Sequence, residues 1–456
     1  MKSVTSIDPK IHQHKPSLLR QKYPGEALVR LHRDALVVLQ DMAALGDCSV
    51  LKIAGFKLYL LNHPDFFREV LITQNDAFIK GRAAQFLGIL LGQGLLNSEG
   101  TFHHKQRKLV LPAFHHHKIA GYATDMAESA AHLSQQWQQG QTLMIDDAMM
   151  DVTLDIVAKT LFGADVSSDK DVIKDALAEG QEVFRGITNP FASLILRLPF
   201  PITRKIQRVV HRMDTIIYRI IESHRAAPDQ YTDLLSLLLA SRDEETGAGM
   251  SDKQLRDETM TLFTAGHETT AVALTWTWFL LAQYPEIERK LHAELDAVLG
   301  GRLPTFEDIP RLVYTRQVFS EVLRLYPPAW AITRQALQDI QIGPYAIPKG
   351  ATIDLSAYLL HRDDRFWPNP EVFDPERFSP QNRKSIDKFT FLPFSIGIRG
   401  CIGEQFAWME GIIVLATLAQ QWRFKLLSTT APGLNPLITL RPATPIKVQA
   451  IKRNEP

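Results

Sequence analysis

The sequence predicts an α+β fold, mainly α-helical with a small β-rich lobe, built as a single large domain. Three observations carry this. A capping-box signature, Ser251-Asp252-Lys253-Gln254, opens a helical pattern that runs to Tyr284 and is stopped by Pro285, about 32 residues and roughly 48 Å. That length suits a helix crossing the whole molecule. Further helical periodicities fill much of the chain, whereas strand-like alternation is short and confined to a few places. No internal repeat, low-complexity segment or shift of composition divides residues 23–456, and only residues 1–22 stand apart, as a polar arm rich in Lys, His and Pro.

Composition narrows the function. The chain has 456 residues, is 45% hydrophobic and 22% charged, and carries a net charge of +1. That balance argues against a nucleic-acid binder, which would show a clustered basic excess. Cys48 and Cys401 are the only cysteines, so no disulfide framework holds the fold and a reducing cytoplasm is expected. The first 22 residues lack the apolar core of a signal peptide or anchor. The longest mostly apolar run, Ala271 to Ala282, falls short of the roughly 18 residues of a membrane span. A soluble protein without a membrane span is the expectation.

In chain order, Glu26 to Ala44 reads as one amphipathic helix with Leu28, Leu31, Ala35, Val38 and Met42 on one side. Ser49–Ile53 and Lys57–Leu61, separated by Ala54-Gly55, read as a β-hairpin. Asn62-His63-Pro64 ends it, and Asp65 to Gln74 resumes helix. From Phe78 to Glu99 the pattern is too irregular for one clean helix. Gly100 to Arg107 reads as helix and places His103 and Arg107, four apart, on one face. A solvated basic helix is the plain alternative there. His115-His116-His117 reads as polar surface, because consecutive side chains point in different directions. Leu143 to Phe162 is helical and capped by Gly163. Arg185 to Pro201, broken by Pro190, Pro199 and Pro201, reads as a lid or a plain surface connection. Arg242 to Gly249 reads as a surface linker.

Chemistry concentrates in two places. Mid-way along the long helix, Ala265-Gly266-His267-Glu268-Thr269-Thr270 combines a glycine, an acid and two β-branched hydroxyls, which weaken helix propensity and mark a functional site. Further on, Phe394-Ser395-Ile396-Gly397-Ile398-Arg399-Gly400-Cys401-Ile402-Gly403 delivers a thiol to the start of a helix that continues from Glu404 to Trp422. The free N–H groups and dipole of that helix N-terminus favour a thiolate, with Arg399 as a nearby cation. Such a thiolate suits an iron porphyrin as axial ligand. The plain alternative is an ordinary buried thiol.

This loop resembles the haem-binding signature of the cytochrome P450 family, F-x-x-G-x-R-x-C-x-G, matching at Phe394, Gly397, Arg399, Cys401 and Gly403, with Ser395 where glycine is usual. The mid-helix stretch is similar to the family's A/G-G-x-E/D-T-T motif. Gly100, His103 and Arg107 resemble G-x-x-W-x-x-x-R, with His103 in the tryptophan's place. Glu321 and Arg324 resemble E-x-x-R, with Arg377 as the third member of a scaffold triad. The resemblance implies a single catalytic domain over residues 23–456 holding haem b (iron protoporphyrin IX), with Cys401 as its metal ligand. It implies propionate contacts from His103, Arg107 and Arg334, and cofactor contacts from Phe394, Arg399, Gly403 and Ala265. Ala265 and Gly266 would leave space above the haem. Thr269 would hydrogen-bond bound O2 and Glu268 would relay protons through water.

The implied function is a bacterial-type, cytoplasmic monooxygenase that draws two electrons from a separate ferredoxin or flavodoxin with its reductase, since no fused reductase is expected. One oxygen atom enters a hydrophobic small molecule by hydroxylation or epoxidation. Trp330, Ala331, Ile332 and Thr333 would line the pocket or serve the sheet core. In style the motifs resemble the branches that oxidise long-chain fatty acids and terpenoids. Within haem chemistry the rival is a peroxide-driven or isomerising enzyme, in other classes a non-catalytic haem sensor or a cysteine hydrolase. Lys105, Lys108, Lys118 and Lys384 would add a basic face for an acidic electron donor.

Overall fold

The computed structural model describes residues 14–23, 25–53, 55–187, 201–242 and 247–453. Its organising element is the helix Asp252–Leu281, 30 residues long. The capping box forms as predicted: the Ser251 hydroxyl accepts from the Gln254 N–H at 3.3 Å and the Gln254 side chain accepts from the Ser251 N–H at 3.0 Å. The helix ends before Tyr284 because a residue preceding proline is pushed out of the α region, and Ala282 to Tyr284 form a turn into the next helix, Pro285–Leu299. Trp276, Trp278 and Phe263 are fully buried along it. From Ala271 to Leu281 every residue is buried and none is charged, as in a helix of the interior. It packs along Ile145–Phe162 and is flanked by Val313–Leu325 and Glu404–Ala419.

The expected single helix from Glu26 to Ala44 is two, Glu26–Arg33 and Ala35–Ala43. Asp34 separates them in extended backbone (φ −159°), and its carboxylate caps the second helix by accepting from the Val37 N–H at 3.1 Å. The local hydrogen bond overrides a continuous periodicity. Likewise the helix expected from Asp65 to Gln74 is a short α-helix, Pro64–Arg68, continued by a π turn, Glu69–Thr73. The loose stretch after Phe78 resolves into a strand, Phe78–Lys80, and a helix, Arg82–Leu91. A separate short hairpin pairs Tyr345–Ile347 antiparallel to Ile340–Ile342.

The β-rich lobe is a six-stranded mixed sheet in the order Ser17–Leu18, Cys48–Ile53, Phe56–Leu61, Thr352–Leu355, Ile332–Ala336, Phe78–Lys80. The expected hairpin supplies its second and third strands, with Gly55 at φ +92° in the turn. Ser17–Leu18 pairs in parallel with Ser49 and Val50, so the end of the polar arm belongs to the sheet. A three-stranded sheet joins Trp422–Leu426, Lys447–Lys452 and Thr142–Met144, and a two-stranded hairpin, Leu434–Pro436 with Leu440–Pro442, reaches the central helix. The predicted helix end at Phe162 is closed by Gly163 in the left-handed region, φ +49°. The proline-broken stretch read as lid or connection lies largely outside the described residues, as does the middle of the 242–249 linker. Among the described residues no helix is long and apolar enough to cross a membrane.

Candidate active site

The loop that carries Cys401 is shaped by its own backbone. The Cys401 N–H donates to the Phe394 carbonyl at 2.9 Å and the Gly400 N–H to the Gly397 carbonyl at 3.0 Å. Gly397 has φ +75°, and a methyl group there would lie 2.3 Å from the Leu71 carbonyl oxygen, so both conformation and space demand glycine. Ser395 also adopts a left-handed backbone, φ +59°. Serine holds that conformation at about 1–2 kcal/mol of strain, which explains why glycine is usual at this position of the pattern.

A buried polar frame fixes the approach to the loop. Arg324 meets Glu321 through two bonds of 2.7 Å, and Arg377 adds a third arm at 3.3 Å. Arg324 also donates to the carbonyls of His361 and Pro370, each at 2.7 Å. Burial pushes the His361 imidazole down to about 3, so it is neutral, and its Nε2 accepts from the Leu392 N–H at 2.9 Å. The triad thus reaches, through His361, a residue two positions before Phe394. Phe394 itself lines the cavity above and packs against Trp408, ring centres 5.6 Å apart.

Cys401 opens onto a cavity of about 1350 Å³ whose wall also includes Ala265, Thr269, Phe394, Arg399 and Gly403. Although it faces this void, protein encloses it, and burial pushes the thiol up to about 11 against the opposing pull of the Gly403 N–H and Arg107. This corrects the expectation of a thiolate favoured by the helix N-terminus and Arg399: desolvation outweighs the N–H contribution, and the cation that acts on the sulfur is Arg107, while Arg399 pairs with Glu99. A coordinated metal cation is what ionises such a thiol.

One edge of the cavity gathers cations. Lys80, Arg334 and Arg399 line it, and Lys80 lies directly opposite Arg334 across paired strands. Burial, then Arg399 and Arg334, push the Lys80 ammonium down to about 7. Burial likewise lowers Arg334, to about 10. Glu99 pairs with Arg399 and accepts from the Lys80 backbone N–H at 2.8 Å. Three cations facing one carboxylate, Arg334 buried and Lys80 and Arg399 partly so, are matched by a ligand that brings further negative charge. His103 and Arg107 stand behind this edge and do not line the cavity. His103, held neutral by burial with its pKa down at about 4, lies 3.3 Å from the Ser98 hydroxyl. Arg107 donates to the Gly400 carbonyl at 2.9 Å.

On the central helix, the Thr269 hydroxyl donates to the Ala265 carbonyl at 2.8 Å, and both residues open onto the cavity. The Glu268 carboxylate is buried, accepts from Gln181 at 2.5 Å and from the Thr439 hydroxyl, and pairs with Arg441 at 3.0 Å. Gly266 lines the cavity beside Ala265, as expected, and has a second role in packing. A methyl group on it would lie 3.2 Å from Val157 Cγ2, so its smallness also serves packing against Ile145–Phe162.

A family model described as cytochrome P450 matches residues 34–450. The chain belongs to the cytochrome P450 family. It is 37% identical over 425 residues to cyclooctatin synthase of Streptomyces melanosporofaciens, covering 91% of each chain. To cyclooctat-9-en-7-ol 5-monooxygenase of the same organism it is 36% identical, over 87% of this chain and 86% of the other. Pentalenene oxygenase of Streptomyces avermitilis is 32% identical, over 86% of this chain and 88% of its own. The solved haem domain of cytochrome P450DA superposes with a TM-score of 0.84 at 26% identity, over 97% of this chain and 99% of that one. This P450 is accordingly a monooxygenase with a haem cofactor, and it works on a substrate with O2 and electrons from a redox partner.

Four residues of this P450's site escape sequence reasoning. Lys80 sits in a three-residue strand, too short for periodicity to place. Gln181, Thr439 and Arg441 are 87, 171 and 173 positions from Glu268, and nothing local ties them to it.

Proposed function

We propose that this P450 hydroxylates or epoxidises a terpenoid, using haem b held by Cys401 and electrons from a separate ferredoxin or flavodoxin. The observation that carries the reading is the likeness over most of the chain to oxygenases named for terpenoid products and substrates. The cavity of about 1350 Å³, walled by side chains such as Leu87, Leu90, Phe184 and Met260, supports a bulky apolar molecule.

In this reading Cys401 binds the iron, while Lys80, Arg334 and Arg399 neutralise the two propionates, with His103 and Arg107 bracing the loop behind them. The bound haem supplies the activation of O2 by its thiolate-ligated iron. The protein contributes the rest. Ala265 leaves room beside the Thr269 hydroxyl. Thr269 holds a proton at Oγ1, poised between the Ala265 carbonyl and the cavity, and Glu268 hands protons inward through water from its site beside Arg441. Apolar walls exclude bulk water. Lys105, Lys108, Lys118 and Lys384 lie exposed and offer a basic landing for an acidic electron donor, with Lys105 and Lys108 on the helix whose Arg107 reaches the cysteine loop.

The test is a titration of the haem-loaded protein with terpenoids and with long-chain fatty acids, read as the absorption shift on displacing water from iron. Turnover with a ferredoxin or flavodoxin system follows. Terpenoid-selective shifts with oxygenated product support the reading. Shifts and product from fatty acids alone overturn it. Thr269→Ala should divert electrons to peroxide, and unchanged coupling would remove the proton role.

A further inference from the structure

The cavity wall holds a buried acid that the chemistry above leaves unused. Asp354 lies in the strand Thr352–Leu355, is 7% exposed, and lines the cavity. Its Oδ1 takes no hydrogen bond, and it makes no ion pair among the described residues. Burial raises the carboxyl to about 7, with the Leu355 N–H pulling the other way. A buried carboxyl with an unfilled oxygen costs stability wherever it stands, and a ligand hydroxyl in the adjoining cavity would relieve that cost.

Strand register fixes where it points. Asp354 opposes Thr333 on one side and Leu60 on the other, whereas Arg334 opposes Ile353. Successive residues of a strand face opposite sides of the sheet, so Asp354 and Thr333 share the face away from Arg334. There the cavity runs along Leu58 and Thr352 toward Leu28 and Leu31 of the first helix. Asp354 is therefore the buried carboxyl of a reach that it shares with Thr333 and Thr352, with His32, Arg33 and Asp34 near its far end, across the sheet from the cationic edge. The other acid on the inner wall, Glu268, is already filled by Gln181, Thr439 and Arg441.

We propose that Asp354 binds a hydroxyl group of the substrate, so that this P450 takes a terpene alcohol in preference to the bare hydrocarbon. The inference rests on the terpenoid reading above and narrows it. A hydroxyl suits the carboxyl in either protonation state, since the carboxylate accepts the O–H and the acid donates to the hydroxyl oxygen. The anchored end fixes which carbon of a rigid skeleton reaches the iron. An oxygen-installing reaction must then precede this one.

The experiment uses the haem-loaded full chain and pairs of C15 and C20 terpenes, each hydrocarbon beside its monohydroxy and its monoamino counterpart. Dissociation constants are read from the haem absorption shift for the native protein, Asp354→Leu and Asp354→Asn, with the carbon monoxide band reporting intact haem loading. The native protein should bind the alcohol about tenfold tighter than the hydrocarbon. Asp354→Leu should erase that preference, and Asp354→Asn should keep part of it. An alcohol preference that is absent, or that survives in both variants, overturns the inference, as does a stronger preference for the amine. If terpenoids bind but Asp354 makes no difference, the terpenoid reading stands and only the anchor falls. If no terpenoid binds while fatty acids do, both fall.

Discussion

Removing Arg441 tests the wiring of the distal acid most directly. Its guanidinium meets Glu268 Oε1 through Nε at 3.1 Å and Nη2 at 3.0 Å. At that separation and an effective dielectric near 20, the attraction is about 5 kcal/mol before desolvation is counted. Stranding one partner of a buried pair costs about 3–5 kcal/mol. Here the arginine side chain is 23% exposed and the glutamate 4%, so solvent screens part of the loss. Gln181 and Thr439 also continue to donate to the carboxylate, which places Arg441→Met at about 2–3 kcal/mol. For a chain of 456 residues that is a fall of roughly 2–3 °C in Tm. The assay is thermal unfolding followed by circular dichroism, in a cycle of Arg441→Met, Glu268→Gln and the double variant. A neutral amide at 268 no longer needs the cation, so the double variant should recover at least half of the single variant's loss. A double variant as unstable as Arg441→Met alone, or a single variant within about 0.5 kcal/mol of native, would refute the reasoning.

Cys401→Ser should abolish the carbon monoxide difference band of thiolate-ligated haem, and an unchanged spectrum removes the sulfur from the iron. Gly397→Ala forces a methyl group to 2.3 Å from the Leu71 carbonyl at φ +75° and should cost about 2 kcal/mol or more, with reduced haem loading on titration. Lys80 gives a pH signature in the haem-free protein. Its folded pKa, about 7, lies below the ordinary lysine value of about 10.4, so between them the unfolded chain binds the proton and the folded one does not. Stability should therefore rise from pH 7 to about pH 10, and Lys80→Met should flatten that rise in urea titrations. An identical slope in the variant would contradict the burial of this ammonium.

How much of this was legible in the residues depends on the range of the interaction. The cysteine loop reads clearly because its constraints are local: Gly397 answers a φ and a clash, and both fall within a few positions of Cys401. The capping box at Ser251 is equally self-contained. The kink at Asp34 is local too, but an unbroken apolar stripe conceals it until the carboxylate is seen to bond Val37. Gly266 was legible as room at the cavity, whereas its packing role was not, since Val157 lies on another helix. Arg441 and Lys80 leave no trace in spacing or composition. Their roles arise from a hairpin and a strand edge that the fold alone brings to the cavity.

The filling of Glu268 has a consequence for the order in which the molecule is completed. Two of its three partners, Thr439 and Arg441, sit in the hairpin Leu434–Pro442, downstream of the sulfur itself. A ribosome that has just delivered Cys401 has made the proximal half of the pocket while the opposite half still lacks its latch. Chains cut after residue 433 would retain every residue of the cysteine signature and yet carry an acid with no cation to quiet it. If Glu268 relays protons as proposed, nonsense mutations near that terminus should present as faults in proton delivery as well as in folding.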